Sequence, residues 1–339
     1  MPPWHQLVTQ TDAETDAQRF AGLRILLAVS GGADSVAMVR LVEHVWARRD
    51  PSSVSLLTIA HFNHQMRGDR SDADQSFVEQ LGRDLRIMVT CGRPTKPPES
   101  HASESDLRTM RYAFLRQTAE SLGARYVMVA HTKDDNVETF LHHLFRGAGV
   151  AGLAGMRTSR ELGRDVVLFR PLLDCSGQLL RDGLREIGQS WCHDTSNDET
   201  KFSRNWLRKT LLPLVRERYP HADQAITRAI GHLTDRRIHD DEQAAAWLAA
   251  QVEVLSTAVT ISRPADIASL PTGDIFAAAL RAIYDRCEWG RSDLSAHHVS
   301  SVYASLTATT PVPSFMIAAG VRVDVDADAV TLRLADNRV

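Results

Sequence analysis

A chain of 339 residues with 43% hydrophobic and 24% charged side chains can bury a core in each of two domains, and its composition is that of an ordinary globular protein. A formal net charge of −3 excludes whole-molecule attraction to nucleic acid, so any RNA-binding surface has to come from local clusters of Arg and Lys. Cys91, Cys175, Cys192 and Cys287 form no Cys-x-x-Cys pair and no zinc-ligand spacing, while no cationic leader or apolar run of about 20 residues is present, so a reducing cytoplasmic setting without a membrane partner is expected. Nothing in the sequence speaks for DNA, and it leaves the oligomeric state unknown.

In chain order, residues 23–29, 54–60, 86–91 and 125–130 are short, non-alternating apolar runs, the pattern of strands covered on both faces. Residues 34–48, 71–84, 104–122 and 134–146 follow them, each with apolar positions three and four apart. Four strand-then-helix units predict an α/β domain, a doubly wound parallel sheet whose right-handed crossovers bring every strand C-terminus to one edge. The loops after Val29, Ala60, Cys91 and Ala130 therefore share one crevice. Residues 93–101 hold three prolines and read as an irregular loop, residues 166–169 and 179–187 as one more strand and helix, and the first domain closes near Arg218. From Tyr219-Pro220 onward the chain turns to Ala-rich amphipathic helices at 225–250 and 274–286. Two short strands at 321–325 and 330–334 then form a terminal β hairpin. The expected division is 1–218, catalytic, and 219–339, a smaller, mainly helical accessory domain.

Residues Ser30, Gly31, Gly32, Ala33, Asp34 and Ser35 carry the chain from the first strand into the first long helix. Paired glycines allow a tight turn and close backbone approach, a helix start presents free N–H groups, and two hydroxyls add donors, so the loop is an anion site. A carboxylate beside phosphates, Asp34, makes sense when it holds a magnesium ion. The bland alternative is a glycine turn in which Ser30 is a helix cap. The loop has neither the Gly-Lys-Ser/Thr of a Walker A sequence nor a GxGxxG fingerprint, which argues against kinases and dehydrogenases.

This loop resembles the pyrophosphate loop of the N-type ATP pyrophosphatases, enzymes of the adenine nucleotide α hydrolase-like fold. The resemblance implies cleavage of ATP between its α and β phosphates and transfer of AMP to a substrate oxygen. Four further segments, spread over most of residues 23–218, resemble the tRNA(Ile)-lysidine synthase family. The first is His61-Phe62-Asn63-His64-Gln65-Met66-Arg67-Gly68 with Ser71, expected over the nucleotide with His61, Asn63, His64 and Arg67 as ligands; a hydrogen-bonded loop capped by Ser71 competes with that reading. The second is Glu104-x-x-x-Arg108-x-x-Arg111-Tyr112, three charges on one helical face, where Leu107 departs from the family's usual Ala. Arg111 is expected to ligate ATP or the adenylated intermediate, with Arg108 the second choice.

The third segment, His131-Thr132-Lys133-Asp134-Asp135-Asn136-Val137-Glu138, puts two carboxylates in a helix's first turn. Asp134 is open between capping and function, Asp135 is expected to pair with Asp34 around magnesium or to orient a lysine amine, and His131 shares the crevice. The fourth comprises Arg170-Pro171-Leu172, Asp194-Thr195-Ser196-Asn197 and Arg204-Asn205-x-x-Arg208. Its basic stretch, interleaved with Trp191, Phe202 and Trp206, could hold a splayed anticodon loop or be a solvated helix face. Catalytic residues expected from the resemblance are Asp34, Arg111, His131, Asp135 and Arg204, with ATP and magnesium as cofactors.

The family implies that free lysine is ligated to C2 of the wobble cytidine of a minor tRNA(Ile) with a CAU anticodon, with His131 and Asp135 candidates for orienting or deprotonating the amine. The rivals are a tRNA thiolase of the same superfamily, which would need reactive cysteines, and a non-catalytic nucleotide- or RNA-binding module.

Overall fold

The structure, a computed structural model, describes residues 1–66, 68–95, 103–192, 203–254, 258–263, 267–290, 293–310 and 312–335. It divides into two compact units, one of residues 1–146 and 155–227, the other of residues 147–154 and 228–339.

In chain order the elements up to the long helix are α1 (Pro3–Glu14), α2 (Ala17–Phe20), β1 (Ile25–Ala28), α3 (Ala33–Arg49), β2 (Leu57–Phe62), α4 (Asp69–Leu85), β3 (Met88–Gly92), α5 (Glu104–Leu122), β4 (Tyr126–Val129), α6 (Lys133–Phe145), α7 (Val150–Leu153), β5 (Ser159–Gly163), β6 (Val166–Phe169), α8 (Gly177–Glu186), α9 (Ser203–Trp206), α10 (Leu212–Arg218) and α11 (Ala222–Gln251). The sheet order is β3-β2-β1-β4-β6-β5, parallel throughout except for β5. Strand order reverses between β1 and β4, the point at which ligands bind in open α/β sheets.

Alternation within single strands explains the non-alternating sequence. Ile25 and Leu27 pack with α1, α3, α4 and α8 on one face, while Leu26 packs with Leu115 and Ala119 of α5 on the other. Both neighbours of β1 follow the same rule, with Leu57, Ile59 and Met128 on the first face and Ala60, Val127 and Val129 on the second. The doubly wound expectation thus holds, with three differences. The edge strand β3 is largely exposed rather than covered on both faces. Residues 51–56 form a 3-10 turn after Pro51, so β2 starts at Leu57. The edge strand β5, with the polar sequence Ser-Arg-Glu-Leu-Gly, carries no apolar pattern and was not anticipated.

The second unit holds β7 (Val252–Val254), β8 (Ala258–Ser262), α12 (Gly273–Arg286), α13 (Ala296–Thr307), β9 (Phe315–Ile317), β10 (Val321–Val325) and β11 (Ala329–Leu334). The expected hairpin is present as the antiparallel pair β10 and β11, within a five-stranded sheet of order β7-β8-β11-β10-β9. Val259, Ile261, Val321, Val323, Val330 and Leu332 point from that sheet into a core shared with Phe276, Leu280 and Tyr284 of α12 and Val302 and Leu306 of α13. Among the described residues no helix is long and apolar enough to cross a membrane.

Candidate active site

The loop between β1 and α3 is held by its own hydroxyls. The Ser30 N–H donates to Ser35 Oγ at 3.2 Å, Ser35 Oγ donates to the Gly32 carbonyl at 2.9 Å, and the two hydroxyl oxygens lie 3.2 Å apart. The N-cap of α3 is Gly32, with no side-chain cap, so Ser30 is not the capping residue and the first-turn N–H groups of the helix remain for an anion. Gly31 sits at φ +95°, where only glycine is comfortable, and a Cβ there would meet Cys192 Sγ at 3.2 Å. The Cys192 N–H also donates to the Gly31 carbonyl at 2.9 Å, tying the loop to the chain that follows α8.

Carboxylates from the ends of β1 and β4 meet beside this loop. Asp34 opens α3; Asp134 and Asp135 open α6. Burial, joined by the charge of Asp135, pushes the Asp34 carboxyl up to about 6 against the pull of Arg181 and Arg208. Its Oδ1 is buried with no hydrogen-bond partner among the described residues. Asp135 closes a capping box: its Oδ2 accepts from the Thr132 N–H at 2.9 Å, while Thr132 Oγ1 accepts from the Asp135 N–H. The capping role left open for Asp134 therefore falls on Asp135. Asp134 accepts from the Gly177 N–H at 2.8 Å, at the start of α8.

Arginines from distant segments answer these acids. Arg208 donates to Glu138 at 2.6 Å and to Asp135 at 3.2 Å. The Glu138 side chain is 5% exposed, and burial raises its pKa while Arg208 opposes the rise. Arg208 lies in a π-helical turn, Leu207–Leu211, closed by the Leu212 N–H donating to the Leu207 carbonyl. Pro213 follows, and its ring and missing N–H disfavour the regular bond four residues back. Arg216 lies 3.9 Å from Asp134 and donates to Asp223 at 2.9 Å.

The loop after β2 is built around Asn63. Its amide donates to Asp72 at 3.0 Å and Gln75 at 3.2 Å, and its carbonyl oxygen accepts from the Gln65 N–H at 2.9 Å, holding Gln65 at φ +58°. His61 Nδ1 donates to the Val29 carbonyl at 2.9 Å, and burial holds its pKa down. His64 is pushed down to about 4 by burial and then by Arg111 and His61, and is therefore neutral. Its Nδ1 is buried without a hydrogen-bond partner among the described residues. The N-cap of α4 is Gly68, so Ser71 does not cap it.

Across the crevice stand cations. Arg108 and Arg111 of α5 and Arg160 of β5 all lie within 6 Å of the Tyr112 ring. Arg170, 5% exposed, donates Nε–H to His131 Nδ1 at 3.2 Å and Nη1–H to the Arg157 carbonyl at 2.6 Å. Burial, aided by Arg160 and Arg108, lowers Arg170 to about 10, so it stays protonated near neutrality. A ring nitrogen facing a guanidinium N–H has to accept, so neutral His131 carries its proton on Nε2.

The residues expected at the site therefore fall in three neighbouring groups on one sheet edge: the loop 30–35, the acids Asp34 and Asp135, and the His61, His64, Arg111 and His131 side. Arg67, residues 193–202 and the side chain of Arg204 lie outside the described residues. Glu138 and Arg170 were part of the recognised segments without being given roles, and Arg208, expected in a basic stretch facing RNA, is instead engaged by Glu138 and Asp135. Glu138 follows Asp134 and Asp135 by four and three residues, a spacing that places it on their helical face. Arg160 and Arg181 had no sequence signal.

A glycine-rich loop beside carboxylates at a switch point is placed where open α/β sheets bind ligands, and residues 6–215 match the PP-loop domain family. The chain belongs to that class. Within it the chain belongs to the tRNA(Ile)-lysidine synthase family. It is 35% identical over 334 residues to the tRNA(Ile)-lysidine synthase of Rhodopirellula baltica, an alignment covering 88% of this chain and 83% of that one. The synthase of Bacteroides thetaiotaomicron is 35% identical over 216 residues, covering 62% of this chain and 48% of its own, so the chain spans about half of that relative. Among solved structures, the U34-tRNA thiolase NcsA of Methanococcus maripaludis shares the fold at a TM-score of 0.53 and 14% identity, over 68% of this chain and 78% of its own.

Proposed function

We propose that this enzyme of the tRNA(Ile)-lysidine synthase family ligates free lysine to C2 of the wobble cytidine in the CAU anticodon of a minor tRNA(Ile), with ATP converted to AMP and pyrophosphate. The observation that carries the reading is the approach of Asp34 and Asp135, from the ends of the first and fourth strands, beside the loop 30–35, with the buried Asp34 Oδ1 lacking a hydrogen-bond partner among the described residues.

The loop N–H groups hold the triphosphate, and the cytosine O2 attacks the α phosphorus. That oxygen–phosphorus bond forms as the bond to pyrophosphate breaks. Arg111 and Arg204 stabilise the charge that develops and contact RNA. The ε-amine of lysine then attacks C2, AMP leaves with the oxygen, and the amine gives up a proton. With Nδ1 engaged by Arg170, His131 presents an N–H and orients the reactants rather than taking that proton. Asp135, in the acidic group with Asp134 and Glu138, helps orient the amine as that proton is lost.

The donor chemistry at Asp34 fits magnesium: a buried carboxylate oxygen without a partner, raised in pKa, beside a second acid. Such an ion would take its other oxygens from phosphates and water. Asp34 and Asp135 would hold it, and its charge would favour departure of pyrophosphate. The accessory portion, residues 219–339, is proposed to bind the body of the tRNA, and the protein to work in the cytoplasm.

The thiolase reading loses support because burial pushes the Cys91 thiol up to about 11 and the Cys175 thiol up to about 12, which leaves them protonated and poor nucleophiles. The test is incubation with labelled lysine, ATP, magnesium and a tRNA(Ile) transcript. Label should enter RNA with cytidine at the wobble position and not with uridine there; incorporation into neither transcript contradicts the reading.

A further inference from the structure

We propose that Arg108, Arg111 and Arg160, gathered around Tyr112, form a binding subsite for a backbone phosphodiester of the substrate RNA, separate from the triphosphate loop. The inference rests on the tRNA-modifying reading above. The guanidinium carbons lie 4.9, 5.6 and 5.1 Å from the Tyr112 ring centroid. Two of them come from adjacent turns of α5 and the third from a different element.

Register shows why Arg160 reaches this edge. The strand β5 runs antiparallel to β6, with Ser159 opposite Phe169 and Arg160 opposite Leu168. Its first residues therefore stand at the C-terminal edge of the parallel strands, where the crevice opens. Behind them, buried Arg170 adds a fourth guanidinium, close enough to Arg160 and Arg108 for their charges to oppose its own. Like charges assembled this closely are balanced by an anion, and flat guanidinium groups match phosphate oxygens two at a time. Tyr112 supplies a second sign. Its hydroxyl is buried with no hydrogen-bond partner among the described residues, a donor ready for a phosphate oxygen.

Position separates this subsite from ATP. In the order β1-β4-β6-β5, Arg160 stands three strands from the phosphate loop, about 14 Å at the usual strand spacing. A triphosphate moored on residues 30–35 ends short of that, whereas a polynucleotide that inserts one base into the crevice continues past it. Arg111, whose charge is felt by His64, is the member that faces the loop after β2.

The test compares wild type with Arg160→Gln, Arg160→Lys and Tyr112→Phe, measuring binding of the tRNA(Ile) transcript from 50 to 300 mM salt and, separately, ATP binding without RNA. Arg160→Gln should lower RNA affinity about tenfold at physiological salt and reduce the slope of log affinity against log salt by roughly 0.7–0.9, the value for one lost phosphate contact. Arg160→Lys should keep the slope. Tyr112→Phe should weaken RNA binding a few-fold at unchanged slope, and ATP affinity should stay within about twofold throughout. Unchanged RNA affinity and slope in an Arg160→Gln protein that melts like wild type overturns the inference. So does a loss of ATP affinity with the RNA slope intact, which assigns the guanidiniums to the triphosphate. If wild type binds no RNA at all, the tRNA-modifying reading itself fails, and this inference with it.

Discussion

The two sides of the crevice handle buried charge in opposite ways. On the acidic side Glu138 and Asp135 take Arg208 and Asp134 takes the Gly177 N–H, while Asp34 Oδ1 has no hydrogen-bond partner among the described residues. On the basic side three guanidiniums crowd one ring, and its hydroxyl has no hydrogen-bond partner among the described residues. One side suits cations and the other an anion, in keeping with the proposed ligation of a cationic amine to RNA.

The sharpest way to break this contrast is at Asp34. Asp34→Asn should reduce pyrophosphate release by about a thousandfold, read in a coupled assay. The same change should stabilise the protein without ligands at pH 8. The native carboxyl titrates near 6 in place of 3.8, so stability present at low pH is lost as pH rises through that window. Asparagine removes this loss, by about 1–3 kcal/mol in denaturant unfolding with a chelator present, and the gain should vanish by pH 4. A destabilised variant at pH 8 would contradict the burial account.

Arg170→Gln probes the junction of the two sides. Freed of its guanidinium, His131 can accept a proton on Nδ1, so kcat should fall by about tenfold to a hundredfold at unchanged ATP affinity, and a new acidic limb should enter the rate profile. A profile shaped like that of wild type would remove the positioning role.

A smaller effect is expected at Arg208→Gln, which strands the buried Glu138. Breaking a buried pair costs several kcal/mol, but Arg208 is 44% exposed, so about 1–2 kcal/mol is expected in urea unfolding, recovered when Glu138→Gln is added. The smallest expected effect is replacement of all four cysteines, Cys91, Cys192 and Cys287 by Ser and Cys175 by Ala. Turnover should stay within about threefold, since burial raises the Cys91, Cys175 and Cys287 thiols and keeps them protonated. Loss of turnover with ATP binding intact would revive the thiolase alternative.

What could be read in the sequence follows from how local the signal is. Strand, glycine turn and helix start are contiguous in residues 25–35, and His131 and Asp135 lie within one strand-to-helix turn, so their meeting followed from parallel topology. Arg208 joins Glu138 across 70 residues of chain, and Arg170 joins His131 across 39, distances at which spacing carries no information. Arg160 was invisible because its strand is an exposed antiparallel edge without apolar alternation. The terminal sheet was half seen for a related reason: β7 and β9 have three residues each, too few to show a period, whereas β10 and β11 have five and six.

The central claim is that one crevice breaks ATP between the α and β phosphates and moves AMP onto RNA. It is tested most directly by omitting lysine and supplying ATP labelled at either the α or the γ phosphate with the tRNA(Ile) transcript. The account predicts RNA that acquires the α label alone and releases it as AMP when lysine is added. Transfer of the γ label to RNA, or α label that lysine cannot displace, would contradict it.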